Sequence, residues 1–268
     1  MNLRRLARDF IFSTLDLADT LTGRKTPITP PRRLMNGGTN SKFRNDYHSI
    51  GRNLFGLLVK HGGARPQDRV LDVGCSCGRI AAEFTTYLTS GTYNGFDIEG
   101  PAIEFCQRAI TPRYPQFKFI HADLYNAHYT PDSKVSASEY QFPYTDESFD
   151  FIFLTSVFTH MQRPETLRYL SEISRTLAPG GRVFATFFLI DPEAESAIAS
   201  GRADFSFAHN GKGTRVQFAE NPDHAVAHPR DLILEAFADF GLKVQAALTG
   251  GWRDGNGDSY QDVIVATR

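Results

Sequence analysis

Three acids and one glycine loop carry most of the chemistry this chain could do. Asp72 lies two residues before Gly74 in Val70-Leu71-Asp72-Val73-Gly74-Cys75-Ser76-Cys77-Gly78-Arg79. Residues suited to a buried strand run into this loop, and a helical pattern, Ile80 to Leu88, follows it. Glycine lets a chain turn sharply and removes the side chain that would keep backbone N–H groups away from a ligand. Asp97 ends Tyr93-Asn94-Gly95-Phe96-Asp97, nineteen residues past Gly78. An acid at the end of a second strand, about 20 residues after such a loop, can accept both hydroxyls of a ribose. Asp123 follows a third strand pattern, Phe117-Lys118-Phe119-Ile120. These spacings imply a nucleotide-like ligand at the tip of a parallel sheet.

The loop also excludes ligands. A dinucleotide fingerprint needs glycine at its first, third and sixth positions, where this chain has Gly74, Ser76 and Arg79. A phosphate-cradling loop needs Gly-Lys-Ser/Thr at its end, and Gly211-Lys212 has Ser206 where the first glycine belongs. Cys75, Cys77 and Cys106 offer neither a CxxC pair nor neighbouring histidines, so no metal site is expected. Their spacing suits reduced thiols in a cytoplasmic protein better than a disulfide framework.

The D-x-G-x-x-x-G pattern resembles the first motif of class I S-adenosylmethionine-dependent methyltransferases. The rest of the series follows in order: Asp97, Asp123, the fourth strand pattern Phe149 to Ser156, and Leu177-Ala178-Pro179-Gly180-Gly181-Arg182-Val183 before the fifth. The resemblance implies S-adenosyl-L-methionine as cofactor and S-adenosyl-L-homocysteine as product. It places Asp72 and the backbone of Gly74, Cys75 and Gly78 at the amino-acid end of the cofactor. Arg79 would pair with the cofactor carboxylate or simply begin the helix. Asp97 would take the ribose, Ile98 would pack on adenine, Asp123 would meet the adenine amino group, and Leu124 would form an apolar wall. Thr155 would contact the cofactor from the end of strand four. Val157-Phe158-Thr159-His160-Met161, Ala185 to Leu189 and Ser259-Tyr260-Gln261-Asp262 are similar to one bacterial subgroup suspected of modifying sugars or other small metabolites. That subgroup has glycine where Ser76 stands.

The elements that must hold these residues alternate. Strand patterns near 69–73, 92–97, 117–121, 149–155 and 181–190 interleave with helical ones near 78–90, 101–110 and 164–178, which predicts a parallel sheet with helices on both faces. A helix over 45–61 leads into this core, and a polar insertion, Tyr125 to Tyr140, interrupts it. A helix over 230–240 and strands over 242–248 and 260–267 complete it. The resemblance implies a Rossmann-like α/β fold of seven mostly parallel strands, order 3-2-1-4-5-7-6, with the last strand antiparallel. Residues 46–268 would form the methyltransferase domain. Its 191–228 insertion would serve as a lid or substrate platform, with a hairpin pairing 204–207 and 214–218 around Asn210-Gly211-Lys212-Gly213. Residues 1–45 would be an amphipathic helix and a proline-bearing linker. Leu3, Leu6, Ala7, Phe10, Leu17, Ala18 and Leu21 share one helical face, as a peripheral membrane helix or one packed on the protein itself would require.

At 268 residues and 41% hydrophobic content the chain can bury one sizeable core. Its net charge of −1 supplies no field that would draw it to nucleic acid, and Asn-Pro-Pro-Tyr and Asp-Pro-Pro-Tyr are absent after strand four. Small-molecule or glycan acceptors are therefore expected, with oxygen as the methylated atom. An alcohol acceptor must lose a proton to a base within hydrogen-bond reach, and His160, after strand four, is the candidate; otherwise it caps the next helix. Tyr47, His48, Phe158 and His224 are candidate acceptor contacts, with surface, core or loop roles as the alternative. A lipid or membrane-proximal acceptor is the competing reading, and a catalytically silent cofactor-binding subunit is another.

Overall fold

The computed structural model describes residues 3–35 and 46–268. In chain order the strands are β1 (Arg69–Val73), β2 (Thr92–Asp97), β3 (Phe117–His121), β4 (Leu124–Tyr125), β5 (Val135–Ser136), β6 (Phe149–Leu154) and β7 (Leu177–Phe187). They continue with β8 (Leu189–Ile190), β9 (His209–Asn210), β10 (Arg215–Val216), β11 (Val226–Pro229), β12 (Lys243–Leu248) and β13 (Asp262–Thr267). The helices are α1 (Leu3–Leu21), α2 (Tyr47–Lys60), α3 (Ala81–Tyr87), α4 (Gly100–Ala109), α5 (Arg163–Thr176), α6 (Pro192–Ala199) and α7 (Arg230–Asp239).

Seven strands form the main sheet in the order β3-β2-β1-β6-β7-β13-β12. All pairings are parallel except those of β13, which runs antiparallel to both β7 and β12. This is the Rossmann-like order expected from the sequence. Strand β6 shows why both faces are covered. Phe151 and Phe153 join the core that holds Leu58, Phe84 and Ile103 of α2, α3 and α4. Ile152 and Leu154 join the opposite core, with Tyr169, Leu170 and Ile173 of α5 and Phe237 of α7. A strand buried on both sides reads as a continuous apolar run, which Phe-Asp-Phe-Ile-Phe-Leu nearly is. The chain leaves β1 toward β2 and β3, then returns to β6 on β1's other edge, so the carboxyl ends of β1 and β6 flank a topological switch point. Ligands of open α/β sheets bind at such points.

Three boundaries differ from those the pattern predicts. The first helix past the glycine loop begins at Ala81, because Ser76 to Ile80 are taken up by turns. Strand β7 starts at Leu177, ahead of the Pro-Gly-Gly turn, and its register with β6 shifts across Ala178 to Gly181. The hairpin in the 191–228 segment pairs His209–Asn210 with Arg215–Val216, not 204–207 with 214–218. Phe205 and Phe207 instead turn toward Phe188, and Phe207 also toward Trp252 (ring centroids 5.1–5.6 Å), where burying aromatic surface outweighs strand pairing.

The second sheet, β8-β11-β10-β9, is fastened to the first through Asp262 at the start of β13. Its carboxylate accepts the Leu189 N–H at 2.7 Å and the Trp252 indole N–H at 2.8 Å, and pairs with Arg253 at 2.9 Å. Residues 1–2 and 36–45, the latter within the expected linker, lie outside the described residues. Among side chains from residue 7 onward, α1 faces inward with Phe12 and Asp19, both buried, and outward with Phe10, Ile11, Leu17 and Leu21. Asp19 pairs with the buried Arg32, and Asp16 with Lys25 at 2.9 Å. The helix is thus held by charge and hydrogen bonds on its acidic side, leaving its apolar side exposed.

Candidate active site

The glycine loop is shaped by its neighbours. Gly74 has φ +83°, and a Cβ there would meet Val157 at 2.4 Å, so only glycine lets the loop pass beneath the segment after β6. Gly78, at φ +78°, faces away from the cleft, and a Cβ would strike Ile110 at 2.7 Å. Ser76 holds a left-handed φ of +46° without being glycine, a conformation few non-glycine residues adopt. Tyr47 of α2 clamps the loop from above, its hydroxyl donating to the Cys77 carbonyl at 3.0 Å. All three cysteines are buried free thiols, and burial pushes each thiol pKa up. They are packing groups that leave the loop backbone to face the cleft.

Beneath this loop lies a cavity of about 300 Å³. Asp72, Gly74, Cys75, Arg79, Asp97, Ile98, Thr155, Tyr47 and His160 all line it. The Asp72 carboxyl is buried; one oxygen accepts the Tyr93 hydroxyl and the other, Oδ1, has no partner. Burial raises its pKa to about 8, against the lowering effect of that hydrogen bond. A buried oxygen without a donor is a costly arrangement that a cationic ligand group would relieve. Asp97 accepts the Ser76 N–H at 2.7 Å and the Glu99 N–H at 2.9 Å, one on each oxygen. A carboxylate has about four acceptor positions, so each oxygen keeps capacity for a further donor. Burial lifts its pKa to about 6. Arg79 forms no ion pair among the described residues. The cleft therefore presents acceptors for an ammonium and a diol and one cation for a carboxylate, a donor set that fits S-adenosylmethionine.

The other wall is a roof of aromatic and imidazole side chains. His160, in a short 3₁₀ turn after β6, has Nδ1 2.8 Å from the Asp223 carbonyl oxygen. A carbonyl only accepts, so Nδ1 carries the proton and Nε2 of the neutral ring is an unprotonated acceptor. The Tyr129 hydroxyl donates to Nε2 at a long 3.4 Å. Burial is the largest influence on His160 and lowers its pKa, favouring the neutral ring. Asn126 fixes the turn by donating to the His160 carbonyl at 3.0 Å, and Ala127 N–H donates to the Asp223 carboxylate at 2.9 Å. The polar insertion and the 191–228 segment thus meet above the cavity. Among the described residues, no group of three His, Cys, Asp or Glu side chains could hold a metal ion.

Several candidate residues fall outside the cavity wall. Gly78 packs on α4, as described above. Asp123 is exposed and accepts the Ser133 hydroxyl, and Leu124 is buried in the core. His48 turns to Thr29, Nε2 to Oγ1 at 3.1 Å. Phe158 is core, its ring stacked 4.7 Å from Phe187. His224 lies beyond the roof with its ring against His128 at 4.8 Å. Conversely, Asn126, Tyr129, Ser156, Val157, Met161 and Tyr169 line the cavity although the sequence did not single them out as site residues. The signal available for two of them was the polar, tyrosine-bearing insertion itself.

A family model described as a methyltransferase domain matches residues 70–181, the span from β1 into β7 that builds this cleft. Residues 70–181 thus carry a methyltransferase domain, set within the Rossmann-like sheet described above. Among curated proteins, the phthiotriol/phenolphthiotriol dimycocerosates methyltransferase 1 of Mycobacterium ulcerans is 30% identical over 138 residues, covering 52% of this chain and 42% of that protein. A fatty-acid O-methyltransferase of Mycolicibacterium smegmatis is 27% identical over 133 residues, covering 48% and 42% respectively. The matched stretch spans less than half the length of either relative. A crystal structure of the 1,6-didemethyltoxoflavin-N1-methyltransferase of Burkholderia thailandensis, with 1,6-didemethyltoxoflavin and S-adenosylhomocysteine bound, superposes with a TM-score of 0.53 at 18% identity, covering 85% of this chain and 86% of that one. That likeness is one of methyltransferase fold.

Proposed function

We propose that the protein transfers a methyl group from S-adenosylmethionine to an oxygen of a small hydroxylated or sugar-like acceptor. The observation that carries this reading is one cavity with Asp72 and Asp97 at one end and, at the other, the unprotonated Nε2 of His160, held only by a long hydrogen bond from Tyr129. When bound, the cofactor supplies an electrophilic methyl on a sulfonium whose sulfur leaves with the bonding electron pair. The loop backbone, Asp72 and Arg79 hold its amino-acid end, Asp97 holds the ribose, and Ile98 and Thr155 complete the contacts. His160 Nε2 receives the acceptor's hydroxyl proton, and the Asp223 carbonyl stabilises the imidazolium that forms. Tyr47, Tyr129 and Met161 exclude water and align the acceptor, since in-line displacement depends chiefly on proximity and orientation. The 191–228 segment acts as a substrate platform by holding Asp223 against His160. The test is transfer of labelled methyl from S-adenosylmethionine across a panel of sugars, hydroxylated small molecules and fatty acids; failure of every acceptor despite cofactor binding would favour a silent binding subunit.

A second reading has a lipid acceptor reached at a membrane surface. Two observations favour it: the outward apolar side of α1, and relatives named for phthiotriol dimycocerosates and fatty acids. Exposed Arg8 and Arg24 lie on this helix and just past its end, as an anionic surface would favour. No described helix is long and apolar enough to cross a bilayer, so the contact would be peripheral.

A further inference from the structure

Strands β6, β7 and β13 bring three polar side chains together beside the cavity. Ser156, just past β6 and lining the cavity, sits at a left-handed φ of +60°. Its backbone N–H donates to Thr186 Oγ1 at 2.8 Å, and its hydroxyl donates to Gln261 Oε1 at 3.1 Å. The Thr186 hydroxyl donates to the same Oε1 at 2.6 Å. Thr186 is buried, and its oxygen is already receiving the Ser156 N–H, so its own hydrogen has Gln261 as acceptor. With two hydroxyls donating to Oε1, the carboxamide has one orientation. Its Nε2 hydrogens face away from the pair, take no partner among the described residues, and are not sealed from solvent.

A purely structural amide here would account for Oε1 and leave Nε2 idle. The arrangement costs a strained residue at Ser156, and such strain persists where surrounding contacts over-determine it, commonly at functional sites. Nearby Tyr260 is half exposed with its ring edge-on to Phe188, centroids 6.2 Å apart, so the surface beside Gln261 is apolar as well as hydrogen-bonding.

We propose that Gln261 is an acceptor-positioning residue whose Nε2 donates to an oxygen of the acceptor, a carboxylate, carbonyl or hydroxyl. The proposal rests on the methyltransferase reading above and adds the group that orients the acceptor. Unlike His160, Gln261 handles no proton and acts through binding alone.

The discriminating variant is Gln261→Glu, which is isosteric, keeps an acceptor for both hydroxyls and removes the N–H donors. Calorimetry with S-adenosylhomocysteine, then with laurate, 1-dodecanol and methyl glucoside added to the protein–S-adenosylhomocysteine complex, separates the two claims. The variant should hold S-adenosylhomocysteine within about twofold of wild type, keep its Tm, and bind the preferred probe at least about tenfold more weakly, the scale of a lost donor facing an acceptor oxygen. With labelled S-adenosylmethionine the loss should fall on KM for the acceptor and leave kcat nearly unchanged. Laurate as the preferred probe assigns a carboxylate acceptor, and dodecanol or the glucoside a hydroxyl one. Equal probe affinity in variant and wild type overturns the proposal while leaving the methyltransferase reading intact. So does a wild-type complex that binds none of the three probes. Absence of S-adenosylhomocysteine binding by wild type overturns the methyltransferase reading itself.

Discussion

The Ser76 backbone N–H donates to the Asp97 carboxylate at 2.7 Å, joining the glycine loop to the end of β2. One hydrogen bond therefore couples the part of the cleft that would hold the amino-acid end of the cofactor to the part that would hold its ribose. It also fixes the Asp97 rotamer, so a diol entering the cleft meets a carboxylate already aimed. Pre-ordering of this kind lowers the entropic cost of binding.

Asp72 makes the ligand-free fold sensitive to pH. Its pKa is about 8 when folded, against an ordinary value of 3.8, because burial disfavours the charged form. Between those values the folded chain holds a proton that the unfolded chain has released. The stabilisation is complete below about pH 4 and is lost as pH rises through 8. Asp97, at about 6, contributes in the same direction over a lower window, so the interval from pH 6 to 8 belongs mainly to Asp72. Urea denaturation at pH 6 and pH 8 should show wild type losing on the order of 2 kcal/mol more than Asp72→Asn. Parallel losses in the two proteins would contradict the assignment.

His160→Asn tests the base. The asparagine amide can still donate to the Asp223 carbonyl, so the turn is kept while Nε2 is removed. Turnover should fall roughly 100-fold or more, with cofactor affinity within about twofold of wild type. Because burial lowers the imidazole pKa, wild-type turnover should decline only below the ordinary imidazole value of 6.5 as the ring protonates. An unchanged rate in the variant would return His160 to a structural role.

The outward side of α1 predicts surface binding. Vesicles containing phosphatidylglycerol should co-sediment wild type, and replacing Phe10, Leu17 and Leu21 together by serine should cut partitioning at least about tenfold. The three side chains are 59–78% exposed, so Tm should be unchanged. Equal sedimentation of both proteins would remove the membrane reading.

The sheet was legible because β1, β2 and β6 are short strands each followed by a helical pattern, with Asp72 and Asp97 at countable distances from the glycines. The roof was less so. Tyr129 and Asn126 reach the cavity only because the 125–140 insertion folds back on His160 and Asp223, through contacts between residues 34 and 96 apart in the chain. Local periodicity carries no trace of such pairings. The hairpin shift has the same cause, since Phe205 and Phe207 alternate like a strand but are claimed by Phe188, with Trp252 beside Phe207. His228, for its part, is buried on β11 with Nε2 2.9 Å from the Phe158 carbonyl oxygen, a contact between residues 70 apart in the chain. In α1 the apolar stripe was plain, but which side faces inward was decided by Arg32, sixteen residues from Asp16 and thirteen from Asp19.

The central claim is that the Asp72–Arg79 loop and Asp97 hold S-adenosylmethionine. Titration calorimetry of wild type and Asp97→Ala at pH 7.5 (above the Asp97 value of about 6) tests it most directly. Wild type should bind one equivalent, and the variant should lose roughly 1–3 kcal/mol, about 5- to 150-fold in Kd, the scale of charge-assisted hydrogen bonds to a diol. Equal affinity in the two proteins, or no heat of binding in wild type, would contradict the account.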